Sequence, residues 1–300
     1  MRTYILIEEG CDYLDTISFN VSTISRGKGR SAVQMAAYCA RTKLHSEYTG
    51  KTYDSSHKED LVYHKIFLPR NAPSRFYNQT ILWNEVEKVE KNRNARLARA
   101  LIISLPKEIK RNEQVQMIAK YVSEYFISKG MCADVAIHDK GDNNPHAHIL
   151  LTTRSLDKDG KWMSKQHRNY IRDDNEEKII DEKTNKPKLG KSIKTNDWDN
   201  KENTEIWRKG WADICNEYFK KLHISRKVTH MSYARQGINL EPTKHLGARA
   251  KALEDRGIHT DRGNENRAIA ERNHRRKQRI RDEINREYSI DRDNDYDRDR

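Results

Sequence analysis

Ala133-Asp-Val-Ala-Ile-His138, then Asp139-Lys-Gly-Asp-Asn-Asn-Pro145, then His146-Ala-His148-Ile-Leu-Leu-Thr-Thr153 is the stretch from which the fold can be read. Two apolar runs flank a loop of Gly, Asn, Asp and Pro, the composition of a chain reversal between strands. On a strand, residues i and i+2 share a face, so His146 and His148 stand side by side while Ala147, Ile149 and Leu151 point the other way. His138 closes the preceding strand, whose Val135 and Ile137 take the buried face. A hairpin therefore gathers three imidazoles on one side. Three neutral imidazoles suit a divalent cation and leave coordination positions for substrate oxygens. An isolated His-x-His pair reads as two surface histidines; the third histidine at hairpin distance is what favours a metal.

Outward from this hairpin, strands and helices interleave. Ile17 to Ile24 alternates apolar and polar residues, the pattern of a half-buried strand, and residues 1–16 read as an N-terminal leader. Ser25-Arg-Gly-Lys-Gly-Arg30 is a basic loop. Ser31 and Gln34 have the spacing of a capping box, opening a helix that runs to about Leu44. Val62 to Leu68 is a strand stopped by Pro69, Trp83 to Leu97 a charged amphipathic helix, and Leu101 to Pro106 a buried strand. Glu113 to Lys129 has helical spacing and ends at Gly130. Residues 157–203 are polar and read as a long loop or partly ordered lobe. A helix from Glu205 to Leu222 follows, with Trp207 and Trp211, like Trp83, at packing positions. These elements predict an α+β sandwich on a largely antiparallel sheet. Asn264 to Tyr288 is helical but polar all round, so it is solvated or lies on a polyanion. The final run of Asp, Arg and Asn reads as disordered.

The 300 residues suffice for one substantial core plus an appendage. Lys and Arg number 58 against 45 Asp and Glu, a net charge of +13. Such a field draws polyanions, nucleic acid first and an anionic membrane surface second. No apolar run is long enough to cross a membrane, and acids interrupt the N-terminus before a signal core forms, so a cytoplasmic protein is expected. Four dispersed cysteines suggest neither a zinc ribbon nor a disulfide scaffold.

Tyr38 lies roughly 140° from Val33 around the first helix, off the stripe of Val33, Ala36, Ala37, Ala40 and Leu44. Helix geometry alone leaves it a surface tyrosine. The string Ser25 to Leu44, however, resembles the nucleophile motif of MobA/MobL (MOBQ-type) plasmid mobilization relaxases, and His138 to His148 resembles their metal motif. Leu82 to Glu90, Ala98 to Pro106, Arg226 to Gly237 and His245-Leu-Gly247 extend the resemblance over about residues 17 to 270. It implies an HUH-type relaxase fold at 17–245, an antiparallel five-stranded sheet with flanking helices, and a basic helical extension and tail at 246–300.

The resemblance further implies that Tyr38 attacks a phosphodiester at an origin of transfer, giving a 5′-phosphotyrosine and a free 3′-hydroxyl. His138, His146 and His148 would hold Mg²⁺ or Mn²⁺ against the scissile phosphate. The expected partners are single-stranded origin DNA, accessory relaxosome proteins, a coupling protein and a separate helicase, since no P-loop is present. Arg26, Lys28, Arg30 and Arg41, with Lys227, Tyr233 and Arg235 (and His230 nearby), are candidate DNA contacts, though each reads equally as a solvated side chain. One departure stands out: many relatives carry Glu where this chain has Ala100. Asp139 or Glu87 is the candidate replacement as acid, base or ligand support; slower nicking, another base or an inactive copy are the alternatives. A rolling-circle replication initiator and a catalytically lapsed DNA-binding accessory protein remain as rival readings.

Overall fold

A computed structural model describes residues 14–296. The chain forms two compact units, residues 17–230 and a second built from its two ends, up to residue 16 and from 231 onward. Residues 231–245 are grouped with the second unit. The reason is local: Glu241 and Lys244 donate their backbone N–H groups to Asn273 and Asn266, which ties this segment to the C-terminal helix. Of the expected leader, only 14–16 lie within the described residues.

The larger unit runs β1 (Phe19–Ser25), α1 (Ala32–Ala40), β2 (Lys43–Ser46), β3 (Lys51–Asp54), β4 (Leu61–Phe67), α2 (Gln79–Val89), β5 (Arg96–Ser104), α3 (Arg111–Tyr125), β6 (Ala133–His138), β7 (His146–Thr152) and α4 (Glu202–Lys221). Five strands form one antiparallel sheet in the order β1-β5-β7-β6-β4. Both faces are covered. Leu101, Ile103, Val135, Ile137, Ala147, Ile149 and Leu151 pack under Met117 and Tyr121 of α3 and Trp207, Trp211 and Phe219 of α4. The alternate residues Ala98, Ala100 and Leu150 meet Val33, Ala36 and Ala37 of α1 and Leu82, Trp83 and Val86 of α2. Each large side chain removed from water in this way contributes about 1.5–3 kcal/mol.

Several boundaries differ from expectation. Helix α1 stops at Ala40 because Arg41 adopts a left-handed conformation (φ 50°). Leu44, expected in the helix, reaches the same core from β2, which pairs with β3. The helix expected at Trp83–Leu97 is α2, capped by Asn78, whose Oδ1 accepts the Ile81 N–H at 3.2 Å; Leu97 belongs to β5. The lobe at 157–203 is ordered as short ladders, Gln166–His167 with Ile193–Lys194 and Ile180–Asp181 with Lys186–Pro187.

The second unit holds α5 (Ala248–Glu254) and α6 (Asp261–Tyr296). Helix α6 extends into the terminal run expected to be disordered, since each residue added to a formed helix closes one more hydrogen bond; residues 297–300 lie outside the described ones. Polar brackets hold this highly charged helix. Glu254 accepts from Thr260 N at 2.6 Å and Arg267 at 2.7 Å, and its carboxyl is held down at about 2, first by the Arg267 hydrogen bond and then by those from Thr260.

Candidate active site

Two strand registers assemble the histidines. His138 pairs with His146, and Ala136 with His148, so all three side chains rise from one face of β6 and β7. Ring centroids lie 4.5 Å apart for His138–His148, 5.2 Å for His146–His148 and 5.6 Å for His138–His146. One potential ligand atom from each falls within 4.8 Å of the others.

Helix α1 lies over this face and brings Tyr38 to them. Its ring centroid is 5.7 Å from that of His148 and 6.3 Å from that of His138. The small residues Ala36, Ala37 and Ala40 let the helix sit close, while Tyr38, 37% exposed, borders a cleft of about 600 Å³. Arg41, Lys58, Asp60, Lys140 and His146 also line that cleft.

The donor chemistry fits a divalent cation. His148 Nε2 is buried with no hydrogen-bond partner. His146 gives Nδ1 to the Asn144 carbonyl at 2.9 Å, which leaves Nε2 as its acceptor nitrogen. His138 pairs through Nε2 with the Cys39 carbonyl at 2.6 Å and through Nδ1 with Arg41 at 3.1 Å, so to act as a ligand it would have to give up one of these contacts. Burial pushes His148 down to about 3, reinforced by the neighbouring histidines, and His138 down to about 4. Both are therefore neutral near pH 7, the form that binds metals.

Arg41 organises the site. Its Nε and Nη2 grip Asp60 at 2.6 and 2.9 Å, its Nη1 donates to the Tyr38 carbonyl at 2.7 Å, and its guanidinium lies 4.4 Å from the Tyr38 ring centroid. Lys58 places its ammonium 4.4 Å from the same centroid. The Arg41 hydrogen bond holds the Asp60 carboxyl at about 2. Neither Asp60 nor Lys58 was expected. Their only sequence signal is His57-Lys-Glu-Asp60 ahead of a strand, and it acquires meaning once β4 is known to pair with β6, setting Leu61 opposite His138.

The remaining expected residues fall into three groups. Glu87, proposed as acid or base, sits at the far end of α1. It is 1% exposed and accepts from Ser31 Oγ at 2.7 Å, Ala32 N at 2.6 Å and Val33 N at 3.2 Å. It caps the helix with Ser31, which accepts from Gln34 N, in place of the expected Ser–Gln box; a carboxylate there meets unpaired N–H groups and the positive helix end. Asp139 does border the cleft, but Arg111 and the Gly141 N–H engage its carboxylate.

Among the cations, Arg41 is buried and committed to Asp60, so it serves the site from within rather than as an exposed DNA contact. Arg26 is spent on the carbonyls of Glu87, Glu90 and Asn92. Lys28 and Arg30 are exposed at the N-terminal end of α1, away from Tyr38, and Lys227 is exposed. Tyr233 and Arg235 belong to the second unit. Ala100 is buried in the core beneath α1 and α2; the carboxylate that reaches a histidine here, by way of Arg41, is Asp60.

Comparison with known proteins bears on the family and the fold. The chain is similar to a probable mobilization protein MobA of Bifidobacterium longum, 36% identical over 268 residues, which are 85% of this chain and 47% of that protein. It is 34% identical over 245 residues to a conjugal transfer protein TraA of Agrobacterium fabrum, covering 78% of this chain and 21% of that one. It thus spans about half the length of the first and a fifth of the second. A solved structure described as the molecular basis of vancomycin resistance transfer in Staphylococcus aureus superposes with a TM-score of 0.61 at 30% identity, over 73% of this chain and 100% of that one. The sheet and its helices form the HUH-type relaxase fold expected from the resemblance. A sequence model of the MobA/MobL family matches residues 30–256, from the loop before the tyrosine helix to beyond α5, and the chain belongs to that family.

Proposed function

We propose that the chain nicks one strand of plasmid DNA at an origin of transfer by tyrosine transesterification, for conjugative mobilization. The observation that carries this reading is the juxtaposition of the half-exposed Tyr38 ring with the three histidine rings over one cleft. Tyr38 Oη attacks the phosphorus, a P–O(Tyr) bond forms, and the bond to the 3′-oxygen breaks. That oxygen leaves as a hydroxyl once protonated, while the phenol gives up its proton. The phosphoryl bond energy is retained, so the reverse attack by a 3′-hydroxyl reseals a strand.

His138, His146 and His148 would hold the cation, Mg²⁺ or Mn²⁺, and when bound it supplies positive charge against the non-bridging phosphate oxygen. Lys58 and Arg41 set two cations against the face of the Tyr38 ring, a contact that holds the ring in place. The Arg41–Asp60 clasp fixes the C-terminal turn of α1 and thereby the attack direction.

The substrate would be single-stranded or extruded origin DNA in the bacterial cytoplasm, with unwinding, docking and export left to a helicase, accessory proteins and a coupling protein. No helix among the described residues is long and apolar enough to cross a membrane. A replication initiator would use the same chemistry; the family membership favours transfer.

The test is incubation with labelled single-stranded oligonucleotides from candidate origins plus Mn²⁺, resolved on a denaturing gel. A protein-linked band abolished by EDTA and by Tyr38→Phe is the expected result. Binding without any covalent species, across all candidate origins and metals, would replace this reading by that of an accessory DNA-binding protein.

A further inference from the structure

A second cavity, of about 460 Å³, opens along the edge strand β1 beside the start of α4, on the face of the sheet away from α1 and Tyr38. Lys28, Arg96, Arg99 and Lys201 line it, with Asp199 as the carboxylate on its wall. Asp199 is shared between two guanidiniums, accepting from Arg99 Nη2 at 2.6 Å and facing Arg96 Nη1 at 3.1 Å. The Arg99 side chain is only 10% exposed and lies over the Trp207 ring at 5.1 Å, yet its Nη1 has no hydrogen-bond partner. Desolvation lowers its proton affinity, but a guanidinium stays charged at neutral pH. A buried cation with an unmet donor is costly unless an anion completes it.

The rim is also shaped. Gly27 approaches Asn94 so closely that a Cβ there would lie 2.5 Å from the amide oxygen, which sets that amide at the cavity's edge. The volume exceeds that of a lone oxyanion and falls in the range of pockets for small organic ligands. Four cations against one carboxylate select a phosphate-bearing ligand.

We propose that this cavity is a nucleotide-phosphate subsite, in which Arg96, Arg99 and Lys201 hold a backbone phosphate of the DNA strand and Asn94 meets its base or sugar. The inference rests on the nicking reading for the identity of the strand. Val21, Arg99 and Trp207 put the cavity on the α4 side of the sheet, whereas Tyr38 lies on the α1 side, so the subsite takes a nucleotide outside the cleft at the scissile phosphate. It would anchor the strand without touching the chemistry.

The experiment compares full-length protein with Arg96→Gln, Lys201→Gln and the double variant; Arg96 is 59% exposed and Lys201 is exposed, so the fold should be kept. Fluorescence anisotropy measures affinity for nick-site oligonucleotides, one set covering only the nick and one extended by up to ten nucleotides on either side, at several salt concentrations. The double variant is expected to bind an extended oligonucleotide ~10-fold more weakly, with the salt slope reduced by about 0.7 per lost phosphate contact. Affinity for the short set and covalent capture of it should not change. Extended oligonucleotides that bind both proteins alike overturn the subsite. Free dTMP and inorganic phosphate form a separate arm: binding of either that is tighter than that of the extended strand, and weakened in the double variant, overturns the strand assignment in favour of a free ligand. A wild-type protein that shows the length-dependent difference but never a covalent band sinks the nicking reading alone; a covalent band with indifferent variants sinks this inference alone.

Discussion

The two faces of the central sheet are made by alternate residues of the same strands, yet they differ in kind. On β6 and β7 the residues Val135, Ile137, Ala147, Ile149 and Leu151 face α3 and α4 and meet almost only carbon; the Tyr121 hydroxyl and the Trp211 indole satisfy themselves on backbone carbonyls of Trp207 and Ser104. Their neighbours Asp134, His138, His146 and His148 face α1 and α2 and meet a polar assembly. There Asp134, fully buried, accepts from Trp83 Nε1 and Gln79 Nε2, each at 2.7 Å, and pairs with His64 at 2.7 Å. A buried carboxylate needs such partners, whereas on β6 and β7 the opposite face needs only shape. The dry face supplies stability and lets the wet face carry chemistry that costs it. A one-residue slip in either strand would exchange the two roles.

The largest expected effect breaks the wet face without touching the dry one. Tyr38→Phe should abolish covalent capture of DNA, a loss on the order of 10⁴-fold or more on a denaturing gel, while thermal unfolding stays within about 0.5 kcal/mol of wild type. The converse is Trp211→Ala, which empties the middle of the dry face and should cost about 3–5 kcal/mol in urea unfolding. Any folded fraction should keep the same specific capture activity; a disproportionate loss of activity would mean that the faces are not separable.

A metal should stabilise only through the wet face. Mn²⁺ at a hundred times its dissociation constant is expected to add about 2.7 kcal/mol, read as a rise in melting temperature, and His148→Ala should remove most of that gain. Undiminished stabilisation of the variant would place the ion elsewhere. Asp134→Ala leaves the Trp83 and Gln79 donors unmet and should cost about 1–3 kcal/mol for each buried donor left unmet, with Asp134→Asn recovering part of it.

The smallest effect is in acid. The Asp60 carboxyl titrates near 2 in the fold against 3.8 ordinarily, so its contribution is complete above about pH 4 and is lost as pH falls toward 2. Asp60→Asn should flatten the pH dependence of stability in that window, and an unchanged slope would show that the Arg41 clasp contributes nothing to folding.

The dry face and the histidine hairpin were legible because period-2 alternation and a short Gly, Asn and Pro loop are local signals. That both faces are covered was not, since α1 and α2 reach the sheet from distant sequence. The stop at Arg41 was equally hidden: nothing near it forces a left-handed residue, and the Asp60 contact that favours one comes from the far side of the β2–β3 hairpin. Glu87 read as a free carboxylate because its partner, the first turn of α1, is 54 to 56 residues away.

Arg41 ends a helix, grips a carboxylate, touches one histidine and underlies the tyrosine ring. The proposed nucleophile and the histidine cluster are therefore tied to one side chain. One planar guanidinium thus serves as the common reference for both. If the proposed nicking reaction runs forward on one strand end and backward on another, that shared reference would keep the cutting and the resealing geometry the same.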